Sequence, residues 1–212
     1  MAEATQELAA DGRVGPARAR IVRAATMLFW RDGYHPVSTE AICRAAGVRK
    51  GSLYYAFPSK ADILLACLHE VGEAEWSEVA ALYAEASDDA AAAFRRHLGW
   101  FALEQRRLKA ASGIVLGTFD MALGVSIPEP VLLAMREYRV RHVARMRASI
   151  EQVLGPRLAD RADWLTDMVS QLVMGTMVRA RLIDDVAPLE ALPRMVFELI
   201  DVLRGAPPAV GG

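Results

Sequence analysis

The stretch from Ser38 to Phe57 constrains this chain more than any other, because two helical patterns, each only about two turns long, meet there at a single Gly47. Ser38 is suited to cap the first of them, Glu40 lies in its opening turn where the helix dipole favours an acid, and Ile42 and Ala46 face inward. Gly47 closes that segment, and after Val48 and Arg49 a second short helix begins, with Leu53 and Phe57 four residues apart and facing one core. Upstream, Gly15-Pro16 starts a longer helix in which Ile21, Ala25, Leu28 and Phe29 recur at helical spacing until Gly33 ends it. Two short helices at a steep angle around a glycine turn make a helix-turn-helix, whose second helix is narrow enough to enter a DNA major groove. Cys43, near the turn, reads as a small hydrophobe that lets the helices approach.

Charge is distributed to match. Residues 13–65 carry nine Arg and Lys against three acids, a surplus of six, while the first twelve residues carry three acids and the whole chain has a net charge of −1. A polyanionic partner is therefore expected at the front quarter alone. Ser59 begins a further helix with Asp62 three residues on, a capping-box pattern, and puts Lys60 in its exposed first turn. A lysine beside a helix N-terminus suits a phosphate oxygen.

The run Gly33-Tyr34, Val37-Ser38-Thr39, Ile42, Ala46-Gly47-Val48, Gly51-Ser52-Leu53-Tyr54, Phe57 and Ser59-Lys60 resembles the N-terminal signature of the TetR family of transcriptional regulators over about 50 residues. The resemblance implies a sequence-specific DNA-binding regulator, probing the groove with Lys50, Gly51, Ser52 and Tyr55 and holding phosphates with Ser38, Thr39, Tyr54 and Lys60. Lys50 has the reach for guanine O6 or N7, and Gly51 permits close backbone approach. Two positions depart from the family pattern. Arg49 replaces the usual Ser or Thr cap of the reading helix, which costs about 1 kcal/mol of local stability but adds a long side chain toward phosphate or guanine, and Ala56 replaces a His or Tyr.

Hydrophobic residues make up 53% of the chain, with no period-two alternation, so an all-α protein is expected. The predicted organisation is a loose tail over 1–12, a three-helix DNA-binding domain over 13–60, an effector-binding and dimerisation domain over 61–204, and a tail over 205–212. Helices are expected near 60–84, 88–107, 110–123, 129–154, 160–183 and 188–204. The last two carry more apolar surface than one core needs. Trp164, Met168, Leu172 and Gly175, with Leu192, Val196 and Leu199, are therefore expected in an isologous homodimer interface, so that two heads read a palindromic operator. Between the central helices, Trp100, Glu104, Phe119, Tyr138, His142 and Gln171 are expected to line a site for a small hydrophobic effector whose binding releases a repressor, with helix 60–84 as the lever.

Other classes fit less well. No nucleophile elbow, phosphate loop, HExxH or clustered carboxylates point to an enzyme, and His97 and His142 lack metal-ligand spacing, so no cofactor and no metal are expected. The most apolar stretch, 110–119, falls short of the roughly 20 residues that span a bilayer, the N-terminus has no signal-peptide pattern, and two isolated cysteines suit a reducing cytoplasm. The alternatives left open are an activator of the same type, and a dimeric ligand-binding protein that has lost DNA binding.

Overall fold

A computed structural model describes residues 16–86, 89–119 and 126–205. Among them the elements are α1 (Ala17–Asp32), α2 (Thr39–Ala46), α3 (Lys50–Ala56), α4 (Lys60–Glu85), α5 (Ala90–Ser112), α6 (Glu129–Leu154), a 3₁₀ turn (Pro156–Arg161), α7 (Ala162–Ile183), α8 (Ala187–Glu190) and α9 (Leu192–Leu203), with no strand. The protein is all-α.

The chain divides into two compact units, the first built from residues up to 78 together with 107–139, the second from 79–106 together with 140 onward. By packing, the first unit is larger than the expected 13–60 domain, because 61–78 and 107–139 supply part of its core. Ile63, Leu64, Cys67, Leu108, Leu116, Phe119 and Val131 are buried in one cluster with Ile21, Phe29, Ile42, Leu53 and Phe57. Burial of several side chains of this size, each stabilising by about 1.5–3 kcal/mol, holds the two short helices that propensity alone would leave unfolded. Burial pushes the Cys67 thiol up to about 12 and raises that of Cys43, so both behave as small hydrophobes.

One expected helix is interrupted. Where 110–123 reads as helical, α5 instead continues to Ser112 and residues 113–118 are irregular, with Gly113 and Gly117 at φ of 85° and 75°. The buried Trp30 Nε1 donates to the Gly117 carbonyl at 3.1 Å, and the Trp30 ring meets Phe119 edge-on at 5.3 Å. A backbone bent to present that carbonyl cannot also complete a helical ladder. The end of that expected helix and the break at 87–88 lie outside the described residues.

In the second unit, α9 packs on α7, and Phe94, Leu98, Ile150, Leu165, Val169, Met177, Leu192, Val196 and Ile200 are buried. The helix expected from 188 is divided in two, α8 and α9, at Ala191.

Candidate nucleic-acid interface

The local caps form as the sequence dictates. Ala41 N donates to Ser38 Oγ at 3.1 Å, and Gly47 takes the left-handed conformation (φ 60°, ψ 39°) that turns the chain from α2 into α3. Arg49, at the cap position of α3, makes no side-chain hydrogen bond to the helix. Asp62 N donates to Ser59 Oγ at 3.2 Å, and Ser59 Oγ donates to Asp62 Oδ2 at 2.7 Å.

With Leu53 and Phe57 facing inward, α3 presents its other side to solvent: Arg49, Lys50, Gly51, Ser52, Tyr54 and Tyr55 are all exposed. Tyr55 is 95% exposed, so its ring contributes nothing to the core. No atom lies within 4 Å of where a Cβ on Gly51 would stand, so the protein's own packing does not call for glycine there. An open depression of about 480 Å³ runs beside this face, lined by Ala17, Arg18, Gly51, Ser52, Tyr55 and Ala56. The Arg18 guanidinium sits 4.8 Å from the centre of the Phe57 ring.

The first turn of α2 joins the same surface. Lys50 Nζ donates to Glu40 Oε1 at 2.6 Å, which lowers the Glu40 carboxyl below the usual range and raises the Lys50 ammonium above it. Thr39 Oγ1 lies 3.4 Å from Tyr54 Oη, and Lys50 Nζ stands 5.9 Å from the centre of the Tyr54 ring. Ser38, Thr39 and Tyr54 thus flank the reading helix with hydroxyls, and Ser38 accepts its capping bond with its own hydrogen left for an outside acceptor.

Lys60 requires a correction. Its ammonium donates to the carbonyls of Tyr34 (2.8 Å), Val37 (2.9 Å) and His35 (3.4 Å), and lies 4.3 Å from the centre of the Tyr34 ring. All three N–H groups are taken, and burial lowers the pKa of the ammonium. Instead of clamping a phosphate, Lys60 ties the start of α4 to the turn that leads into α2.

The residues expected at a dimer interface separate into two groups. Leu192 and Val196 are fully buried within the second unit, and a side chain with no accessible surface has none to lose on association. That expectation is corrected. Trp164 and Met168 are each 44% exposed, Gly175 is exposed, and Leu172 and Leu199 are half-buried. On α7, Trp164, Met168, Leu172 and Gly175 form one apolar stripe with Val178 and Leu182, while α9 exposes Met195 and Val202 and leaves Leu199 half-buried.

The expected effector residues are divided between the two units. Phe119 is core of the first unit, packed on Trp30, and the hydroxyl of Tyr138 donates to Glu75 in that same unit, so neither lines a site within the second. Gln171 is exposed on α7 instead of turned inward. Trp100, Glu104 and His142 belong to the second unit, where Trp100 and Glu104 are buried.

Near them lies His97, which lacks the spacing of a metal ligand. His97 is 1% exposed, its Nδ1 lies 3.0 Å from Tyr83 Oη, Ser149 Oγ donates to Tyr83 Oη at 2.7 Å, and Phe101 stacks on the imidazole at 5.7 Å. Its Nε2 is buried without a hydrogen-bond partner among the described residues. Burial lowers the His97 pKa to about 3, and burial with the Arg141 charge lowers that of His142 to about 4, so both are neutral near pH 7. Nothing in the spacing of a lone histidine on a helix signals this. Arg18 and Glu40, at the reading face, carry no such signal either; the Glu40 partner is ten residues away on another helix, beyond any local spacing rule. Among the described residues, no group of His, Cys, Asp and Glu is arranged to hold a metal, and no helix is long and apolar enough to cross a membrane.

A capped α2, a glycine turn and an exposed short α3 on a buried three-helix core define a helix-turn-helix protein. Residues 21–67 match the family described as bacterial regulatory proteins, tetR family. The chain is 38% identical over 53 residues to the HTH-type transcriptional regulator UidR of Escherichia coli (strain K12), covering 25% of this chain and 27% of that protein. It is also 38% identical over 60 residues to the HTH-type transcriptional regulator LmrA of Bacillus subtilis (strain 168), covering 28% and 32%. The chain thus spans about a third or less of the length of the curated relatives it matches. Solved structures share the fold more widely: a TetR-family transcriptional regulator from Streptomyces coelicolor (TM-score 0.76, 23% identity, 88% of this chain and 95% of that one) and a TetR transcriptional regulator from Legionella pneumophila (TM-score 0.73, 19% identity, 88% and 98%). Over residues 21–67 the helix-turn-helix of this chain is thus similar to the N-terminal domain of the TetR family.

Proposed function

We propose that this chain is a sequence-specific DNA-binding transcriptional regulator, a repressor that holds a palindromic operator as a homodimer and is released by a small, largely apolar ligand. The observation that carries the reading is the exposed face of α3, where Arg49, Lys50, Ser52, Tyr54 and Tyr55 point away from a core held by Leu53 and Phe57. A cluster of long polar and aromatic side chains on so short a helix has groove-reading chemistry and no role in the core.

The dimer rests on the Trp164–Met168–Gly175–Leu182 stripe, an apolar surface of the kind that marks a protein interface. A twofold axis there would repeat the head and so ask for a palindrome. The ligand reading rests on the buried polar groups of the second unit, since polar atoms in an apolar interior fix the orientation of a bound molecule. Release requires only that the ligand prefer the state whose heads do not fit DNA. Such a protein would work where DNA is, in the cytoplasm of a bacterial cell, and no catalysis, metal or cofactor enters the scheme.

Selection of bound duplexes from a random DNA pool, at two salt concentrations, tests the central claim. An enriched palindrome is expected, and absence of any enriched sequence would overturn it. The dimer has its own test: Trp164→Arg combined with Met168→Arg is expected to halve the mass seen by sedimentation and to abolish operator binding with the helical signal intact. An unchanged mass would refute the interface.

A further inference from the structure

The ion pair that joins the two helices of the motif has a geometry the DNA-binding reading leaves unused. We propose that Glu40 is a sequence-determining residue which, together with Lys50, reads one G·C pair of each half-site. This deepens the proposed function and rests on it.

Lys50 Nζ and Glu40 Oε1 lie 2.6 Å apart, and the two side chains are 60% and 57% exposed at the surface that α3 presents. In the major groove a G·C pair shows guanine O6, an acceptor, beside cytosine N4–H, a donor; the two are bonded to each other and so stand about 2.9 Å apart. A donor next to an acceptor on the protein therefore faces an acceptor next to a donor on the base pair, at nearly the same spacing and with opposite polarity. The proton count also closes. The ammonium has three hydrogens, one held by Glu40, leaving two for O6 and N7 of guanine, while the carboxylate keeps lone pairs for cytosine N4–H. Without Lys50 beside it, a carboxylate at this surface would only repel the phosphates; paired, it adds no net charge and still accepts.

The arrangement makes a graded demand on the base pair. Reversal to C·G, or replacement by A·T, puts an amino donor where O6 stood and an acceptor against the carboxylate, so those two contacts are lost together; A·T keeps only the purine N7 for Lys50. T·A keeps one match on each side, thymine O4 for Lys50 and adenine N6–H for Glu40, but offers a methyl group where guanine has N7. The expected order at this position is therefore G·C first, T·A second, and A·T and C·G last, with the amino group facing the ammonium in both.

Selection from a random duplex pool with wild type, Glu40→Ala and Lys50→Ala tests this. Both residues are exposed, so neither variant disturbs the core. Glu40→Ala is expected to reduce the preference for G·C over C·G and A·T by at least about fivefold, at the same position where Lys50→Ala acts, with the rest of the palindrome still enriched. A smaller change, or changes by the two variants at different positions, overturns the proposal and leaves the DNA reading intact. A wild-type protein that enriches nothing would overturn both, so the two failures are distinct.

Discussion

Acidification should weaken this protein through His97, starting above the ordinary carboxylate range. The imidazole is buried against Tyr83 and Phe101, with His142 and Arg145 as charged or chargeable neighbours, and its pKa is lowered to about 3 from an ordinary 6.5. In the unfolded chain the same ring takes up a proton as pH falls through 6.5, whereas the folded protein resists protonation until near 3. Stability from this group is therefore complete above about pH 7 and is lost progressively as pH falls toward 3. At pH 5 the unfolded state has gained about 1.5 pH units of protonation free energy that the folded state has not, or about 2 kcal/mol at 1.36 kcal/mol per unit. His142, lowered to about 4, contributes a similar loss over the same window. Urea unfolding at pH 7.5 and 5.0, at one fixed protein concentration, measures the sum, and His97→Gln isolates the first term. The variant starts from its own stability, but the difference between its two pH values should be smaller than the wild-type difference by about 2 kcal/mol. If wild type and His97→Gln lose the same amount between the two pH values, the buried neutral imidazole is not what makes the fold acid-sensitive, and the argument fails.

Lys60→Ala removes the donor to three carbonyls and should lower stability by about 1–3 kcal/mol in thermal or urea melts, while leaving the salt dependence of DNA binding unchanged; a reduced salt slope would restore it as a phosphate contact. Gly51→Ala meets nothing within 4 Å and gains helix propensity, so melting should be unchanged or raised, by up to about 1 kcal/mol, whereas operator affinity measured by titration should fall. Equal affinity would mean that no DNA backbone approaches that position.

The features legible in the sequence are those settled within one or two turns of chain. Ser38, Gly47 and Ser59 act on backbone groups at most a few residues away, so their caps and turn follow from residue type and order, as does the missing side-chain cap at Arg49. The same holds for the inward face of α3, because Leu53 and Phe57 are fixed on one side by helical spacing. Periodicity says that a face is apolar. It does not say what will cover it.

That choice belongs to packing between distant segments. Leu192 and Val196 lie in the same apolar pattern as Leu199, yet they are sealed inside the second unit while Trp164 and Met168 on α7 are left outside. Segment 113–118 lies in an apolar run that reads as helical, but Gly113 and Gly117 take positive φ there and Trp30, 87 residues from Gly117, donates to the carbonyl so presented. Lys60 has the right place for a phosphate contact until the turn at 34–37 brings three carbonyls to its ammonium. Glu40 and Lys50 each satisfy a local role, and only the angle between α2 and α3 turns them into a pair. Hydrogen-bond caps act over a few ångströms of contiguous chain, whereas burial and charge pairing depend on which segments meet, and that is decided by the fold as a whole.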